Sequence, residues 1–236
     1  MKFKLVKTKN VQRLHSALEE LKGRNCAMPG LGLLFGRTGA GKTTALFSAI
    51  GIFDALFVRA DAVTSLSSLL DSICFELTID SLRTNPQKLG AIREALRERP
   101  RPLFVDEADY LTKDGRMLEV LRDIHDTTGI PVILIGMEAV ERKLTRHPQF
   151  ARRISQRIEF NPCDLADTAL VAKELCEVAV ADDLLKKMHS RAKGSIGHIV
   201  VALSLFEEMA RDNGWAGICA EQWGSRPMFL GDLTEA

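Results

Sequence analysis

The residues that most constrain this chain are Gly36-Arg37-Thr38-Gly39-Ala40-Gly41-Lys42-Thr43, which match the pattern G-x-x-x-x-G-K-[ST] in full. Leu31 to Phe35 is a short apolar run, and Thr43 to Ile50 has a helical pattern, so the motif stands between a strand and a helix. That setting gives the pattern its meaning. Glycines let successive backbone N–H groups curl around an anion at the positive end of a helix. The loop predicts a phosphate site in which Lys42 reaches the outer phosphate oxygens and the hydroxyl of Thr43, followed by Thr44, faces a magnesium ion.

The rest of the chain alternates strands with helices. Val11, Leu14, Leu18 and Leu21 recur at helical spacing, with Thr8 or Asn10 as N-cap and Gly23 as a stop. Strands are predicted at Ala55 to Arg59, Leu103 to Val105, Val132 to Ile135 and Arg157 to Phe160. Helices are predicted at Ser65 to Leu77, Gln87 to Arg97 and Met117 to His125. Apolar, β-branched strands alternating with helices imply an α/β fold, a parallel sheet with helices on both faces. After Pro162 the pattern becomes helical throughout, over Leu165 to Val178, Asp183 to Ala192 and Ile196 to Ala210, with no convincing strand. The expected organisation is a nucleotide-binding core over residues 1–162, a small helical lid over 163–222 and a weakly patterned tail over 223–236.

A second motif lies at Arg101-Pro102-Leu103-Phe104-Val105-Asp106-Glu107, an apolar strand that delivers two acids at its carboxyl end, where parallel sheets bind ligands. Asp106 is expected to hold magnesium through water and Glu107 to polarise an attacking water. The two motifs together predict ATP and Mg2+ as cofactors and ATP hydrolysis as the reaction.

Composition excludes several alternatives. A hydrophobic content of 46% with 27% charged residues is that of a foldable globular chain rather than a disordered one. The net charge of +1 announces no global field for nucleic acid, so any such surface must come from local clusters. Cys26, Cys74, Cys163, Cys176 and Cys219 form no Cys-x-x-Cys pair and read as reduced core thiols. The basic start lacks an apolar segment, and no apolar run is long enough for a membrane span, so a cytoplasmic protein without a membrane partner is expected.

The combination resembles the AAA+ ATPases, and within them the DNA-transposition ATPases of the phage Mu B type. The resemblance covers most of the chain. It is carried by Asn10-Val11, Gly36 to Thr43, Phe104-Val105-Asp106-Glu107-Ala108-Asp109, Ile133-Leu134-Ile135-Gly136-Met137, Gln149-Phe150-Ala151-Arg152-Arg153-Ile154 and Gly194-Ser195-Ile196. It implies an adenine pocket between Asn10, Val11 and Ile196. It also implies an arginine finger at Arg152 or Arg153, with Arg153 preferred, that reaches a neighbouring subunit's γ-phosphate. Two positions depart from the family pattern. The polar first sensor is replaced by Gly136 and Met137, and the arginine of the second sensor by His198 after Gly197. Weakened sensors imply slow, partner-stimulated turnover.

Two basic runs are available for phosphate backbones: Arg83, Lys88, Arg93, Arg97, Arg99 and Arg101, and Arg142, Lys143, Arg146, Arg152, Arg153 and Arg157. Such contacts would be salt-sensitive and sequence-independent. The bland reading is a solvated helix face paired with Glu94 and Glu98. The resemblance implies non-specific binding to duplex DNA, self-assembly into a ring or filament, and delivery of that DNA to a transposase. The alternatives are a helicase-loader or replication-initiator-like ATPase, and a weakly catalytic nucleotide switch for a protein partner.

Overall fold

The computed structural model describes residues 1–2, 4–25 and 27–229. The first half contains α1 (Lys9–Gly23), β1 (Leu31–Gly36), α2 (Lys42–Phe53), β2 (Leu56–Arg59), α3 (Leu66–Glu76), α4 (Asn85–Glu98), β3 (Leu103–Asp106) and α5 (Gly115–Thr128). The second half contains β4 (Val132–Gly136), α6 (Val140–Leu144), α7 (Pro148–Ala151), β5 (Ile154–Phe160), α8 (Leu165–Leu175), β6 (Ala179–Val180), α9 (Asp182–Ala192), α10 (Ile196–Asp212), β7 (Gly217–Ile218) and α11 (Ala220–Trp223). The chain divides into two compact units. One comprises Arg13–Gly36 and Leu46–Glu159; the other comprises Met1–Gln12, Arg37–Ala45 and the chain from Phe160 onward.

The first unit is built on a five-stranded sheet in the order β2-β3-β4-β1-β5. β1 with β4, β4 with β3, and β3 with β2 pair in parallel. Every residue of β3 and β4 is buried, as expected of strands covered on both faces. Local signals set the helix ends. Ser65 caps α3 in a reciprocal box with Ser68, Asp114 accepts from Arg116 N at the start of α5, and Gly129 ends α5 in the left-handed conformation at φ 73°. The register matches Arg59 with Asp106 and Phe35 with Gly136 at the carboxyl ends of their strands.

Three features depart from expectation here. β5 begins at Ile154 rather than Arg157, because its solvent-facing Ser155 and half-buried Gln156 hide a strand whose apolar positions are Ile154, Ile158 and Phe160. The helices α6 and α7 are too short to show a 3.6-residue period. Leu111–Lys113 forms a 3-10 turn where no element was expected.

The second unit has its own core, in which Val171, Leu184, Met188, Ile199, Leu203 and Phe206 are buried. Val6 belongs to this core at 8% exposure. The N-terminal residues therefore group with the lid helices rather than with the sheet. The expectation of a strand-free lid is corrected by the two-residue parallel pair β6 and β7, with Ala179 opposite Gly217. Two residues cannot display an alternating pattern. The tail expected from residue 223 is also corrected as far as Phe229. Trp223 is 3% exposed and packs edge-on against Phe206 at 4.7 Å between ring centroids, and Met228 is fully buried. Single large side chains anchor this segment without making a periodic pattern. Residues 230–236 of that expected tail lie outside the described residues.

Candidate functional site

The loop predicted to cradle phosphate has the required backbone. Gly39 and Gly41 sit at φ 80° and 83°, a region costly for any residue with a Cβ. Space forbids a side chain as well. A Cβ on Gly39 would stand 2.5 Å from Ser195 Oγ, and one on Gly41 would stand 2.9 Å from Ile196 Cγ2. The start of α10 closes on the loop, with the Gly39 carbonyl accepting from Ile196 N at 2.9 Å and Gly197 N at 3.4 Å. Lys42 Nζ donates to the Arg37 carbonyl at 2.9 Å, so its ammonium curls back over the loop. Thr43 and Thr44 are exposed at the first turn of α2.

Beside this loop lies a mostly apolar cavity of about 220 Å³. Val6, Val11, Phe160, Leu175, Ile196 and the Gly41 to Ala45 turn contribute to its walls. Val11 and Ile196, two of the residues the resemblance named, thus line one cavity. Asn10 does not line the cavity. Its side chain is committed to backbone, Nδ2 donating to Asn161 O at 2.7 Å and Oδ1 accepting from Asn161 N at 3.3 Å. Next to it Lys9 N donates to Asp167 Oδ1 at 3.1 Å, and Lys9 pairs with Asp164. The hydrogen bond from Lys9 holds the Asp164 carboxyl below its ordinary range. An apolar slot next to a loop that admits no Cβ fits a flat heterocycle carrying phosphates.

The two acids lie in the sheet unit. Asp106 ends β3 at 8% exposure, with Oδ1 accepting from Glu107 N at 2.9 Å. Glu107 adopts φ 54°, a left-handed conformation that costs a non-glycine residue about 1–2 kcal/mol. The flanking backbone is held by Ala60 N to Asp106 O at 3.0 Å, Ala108 N to Ile135 O at 2.8 Å and Tyr110 N to Glu107 O at 3.0 Å. Arg59, at the end of β2, places Nη2 3.2 Å from Glu107 Oε1. Asp109 ties the end of β3 to the end of β4, accepting from Met137 N at 2.8 Å and Lys143 Nζ at 2.6 Å. Gly136 is required there because a Cβ would lie 2.7 Å from Asp109 Oδ2. Met137, where a polar side chain was sought, is 44% exposed and contributes its backbone N–H instead.

Arg152 and Arg153 lie just beyond α7. Arg153 pairs with Asp126 at 3.2 Å, whereas the exposed guanidinium of Arg152 has no hydrogen bond or ion pair among the described residues. Arg152 is therefore the more available of the two. Most of the first basic run is neutralised within the protein, as in the bland reading, though by other carboxylates than the two named there. Lys88 is 4% exposed and bound to Asp71 and Ser67, and Arg93 pairs with Asp123. Arg97 donates to Thr127 O, and Arg99 and Arg101 share Asp54. Neither Glu94 nor Glu98 serves as the partner, since sequence spacing does not reveal carboxylates on other elements. In the second run, Arg142, Arg146 and Arg152 are exposed with no side-chain partner among the described residues, while Arg157 pairs with Glu141.

Residues 27–144, half of the chain, match the sequence profile described as AAA domain. The chain belongs to the AAA domain family. The matched span runs from before β1 to the end of α6 and holds the phosphate loop and both acids. A "Potential ATP-binding protein" of Staphylococcus aureus is 42% identical over 59 residues, 25% of this chain and 21% of that one. Among solved structures, the ORC2 protein of Aeropyrum pernix, as ADPNP-ADP complexes, is similar with a TM-score of 0.73 at 15% identity, covering 94% of this chain and 68% of that one. The Aeropyrum pernix ORC1 protein in complex with DNA gives 0.62 at 16% identity, covering 98% and 66%. This AAA domain thus spans about a fifth of the curated relative and about two-thirds of these structures. Such low identities establish the shared α/β fold.

Sequence reasoning about this AAA domain missed Arg59 as a neighbour of Glu107 and Lys143 as a neighbour of Asp109, and it quoted Asp109 without a role. The Asp109 signal was its place two residues after the acid pair; Arg59 is placed only by strand register. No group of three or more His, Cys, Asp or Glu side chains among the described residues forms a metal cage. Asp106 in the sheet unit and Thr43 in the other unit each carry the kind of hard oxygen donor that magnesium prefers. No helix among the described residues is long and apolar enough to cross a membrane. Cys74, Cys163 and Cys176 are buried and free, Cys219 is partly buried, and Cys26 lies outside the described residues.

Proposed function

We propose that this AAA domain is a Mg-ATP-dependent ATPase that self-assembles and engages duplex DNA without sequence preference, as a helicase-loader or replication-initiator-like factor. The observation that carries the reading is the close fit of α10 against the phosphate loop beside an apolar slot. Gly39 and Gly41 have no room for a side chain, and Val11 and Ile196 wall the cavity. The fold likeness to ORC proteins, one of them solved with DNA, supports an initiator-like factor over one that delivers DNA to a transposase.

Each residue has a proposed role. Gly36 to Thr43 bind phosphate through backbone N–H groups, and Lys42 leaves the Arg37 carbonyl to pair with the outer phosphates. Thr43 would offer its hydroxyl to magnesium and Asp106 would hold the ion through water, and the ion would neutralise charge on the phosphates. Glu107 accepts a proton from the attacking water and orients it. Arg152, or Arg153 after release from Asp126, reaches the terminal phosphate of a neighbouring copy, so that turnover depends on assembly. Val11 and Ile196 flank the base, with Asn10 fixing the backbone behind it.

Hydrolysis by the wild type, Lys42→Ala, Glu107→Gln and Arg152→Ala tests these roles. Lys42→Ala should lose nucleotide binding. Glu107→Gln should keep ATP but lose about 100-fold or more in turnover. Arg152→Ala should lose turnover only under conditions in which the protein assembles. Glu107→Gln turning over at the wild-type rate would remove that residue from the chemistry. Binding to random-sequence duplex DNA across a salt series, with and without nucleotide, tests the second half. The exposed Arg142, Arg146 and Arg152 are the side chains expected to set the salt slope. Co-purification with a replicative helicase supports the initiator-like reading, and co-purification with a transposase supports target delivery instead.

A further inference from the structure

The apolar slot beside the phosphate loop holds one polar group that the folded chain leaves unused. The polar side chains among its lining are Lys4, Thr8 and Thr44. Lys4 and Thr44 are exposed, and Lys4 pairs with Glu174. Thr8 is 2% exposed, and its hydroxyl makes no hydrogen bond among the described residues. That hydroxyl is not sealed off, and the space it borders is the slot. Thr8 immediately precedes α1, where a hydroxyl ordinarily caps the helix by accepting from a backbone N–H of the first turn. Here the helix start is served from elsewhere. Lys9 N donates to Asp167 Oδ1, on α8, at 3.1 Å, and the side chain of Asn10 is committed to Asn161. The Thr8 backbone is fixed, its N–H donating to Val6 O at 2.9 Å and its carbonyl accepting from Gln12 N at 3.0 Å. A hydroxyl withdrawn from water on a fixed backbone, with no partner, weakens the empty protein, and a ligand in the slot would satisfy it.

We infer that Thr8 selects the base of the bound nucleotide, its hydroxyl accepting a hydrogen bond from the exocyclic amine of adenine. The inference rests on the proposed nucleotide site and adds to it the group that distinguishes one base from another. The phosphate loop supplies no such selection, since every nucleoside triphosphate carries the same phosphates. The side chains of Val6, Val11, Phe160 and Ile196 satisfy no polar atom, so a base in the slot loses affinity for each donor or acceptor left unpaired. Adenine brings one amine, which a hydroxyl oxygen can meet. Guanine brings a carbonyl, a ring N–H and an amine on a different edge, more than one hydroxyl can satisfy.

The test is a set of equilibrium titrations with ATP, with purine riboside triphosphate, which lacks the amine, and with GTP, each with Mg2+, on the wild type, Thr8→Val and Thr8→Ser. The wild type should prefer ATP over the amine-free analogue by about three- to tenfold, the scale of one neutral hydrogen bond, and should bind GTP least. Thr8→Val keeps the branched shape without the hydroxyl, so it should bind ATP and the analogue alike, whereas Thr8→Ser should keep the preference. The ratio of the two affinities is the readout, because damage to the fold lowers both together. Thermal unfolding without nucleotide separates this role from helix capping. Thr8→Val should melt at or above the wild-type temperature, since it removes a buried group that has no partner. Retention of the ATP preference by Thr8→Val overturns the inference, and a lower melting temperature beside it would mark the hydroxyl as a cap. Equal binding of all three triphosphates by the wild type also overturns it and leaves the phosphate loop as a site. A wild-type protein that binds none of them overturns the nucleotide reading itself.

Discussion

Arg59 Nη2 stands 3.2 Å from Glu107 Oε1 at the carboxyl end of the β2–β3 pair, where Arg59 is in register with Asp106, the acid that precedes Glu107. The strand register brings the two residues together, and Glu107 makes the contact from a left-handed backbone at φ 54°. In the role proposed for Glu107, this contact occupies the carboxylate oxygen that would take the proton of the attacking water. Both side chains are well exposed, so the pair holds Glu107 with at most about 1 kcal/mol. Arg59→Ala should therefore raise basal ATP hydrolysis by up to about fivefold, the rate equivalent of that ceiling. A fall in turnover at unchanged ATP affinity would instead make Arg59 a support for Glu107.

Gly41→Ala should abolish high-affinity nucleotide binding. It would place a methyl group 2.9 Å from Ile196 Cγ2 at a backbone φ of 83°, which costs about 1–3 kcal/mol in strain alone. Titration with ATP beside a thermal melt separates the two effects. Ile196→Ala in the same background should recover part of the stability, because it removes the atom that the methyl group meets.

His125 gives the sheet unit an acid-sensitive joint. Its Nε2 accepts from Gly30 N at 3.2 Å and its Nδ1–H donates to Ile130 O at 2.7 Å, which requires the neutral ring. Burial, the largest cause, lowers its pKa, and Arg24 and Arg153 act in the same direction. A depressed folded-state pKa means that the unfolded chain binds the proton more readily. The stability from this site is thus complete above the unfolded-state value of about 6.5 and is lost as pH falls through the folded-state value. Urea melts at pH 7.5 and 5.5 should show the wild type losing more stability than His125→Gln. At pH 7.5, His125→Ala should cost about 1–3 kcal/mol for the unpaired Gly30 and Ile130 groups.

Trp223→Ala should destabilise the protein by about 3–5 kcal/mol, as expected for emptying a buried aromatic site. The residue is 3% exposed and lies against Phe206 in the core that also holds Met188 and Leu203. Chemical denaturation with tryptophan fluorescence is the direct measurement. A loss under 1 kcal/mol would mean that this segment is only loosely held.

The phosphate loop and the strands before each motif were legible because a glycine pattern and apolar runs are local properties. Leu31 to Phe35 and Leu103 to Val105 announce themselves through their own composition. Arg59 became a neighbour of Glu107 only through strand register, which depends on residues more than forty positions apart in the chain. The carboxylates that neutralise Lys88, Arg93, Arg99 and Arg101 come from other parts of the chain, so a charge count along one helix does not reveal the partners. The strands β6 and β7 and the anchor at Trp223 are too short for periodicity, and tertiary packing alone defines them.

The division of the chain also has a consequence for its synthesis. The core around α8 to α11 draws on Val6, and the phosphate loop between Arg37 and Ala45 belongs to the same compact unit. A nascent chain that has emerged only as far as Phe160 therefore carries the whole glycine motif without Ser195 and Ile196, the residues that close on it. Joining segments this far apart means closing long loops, so grip on nucleotide should come late. A ribosome-bound chain can display every residue of the motif and still be unable to hold its ligand until the last helices are made.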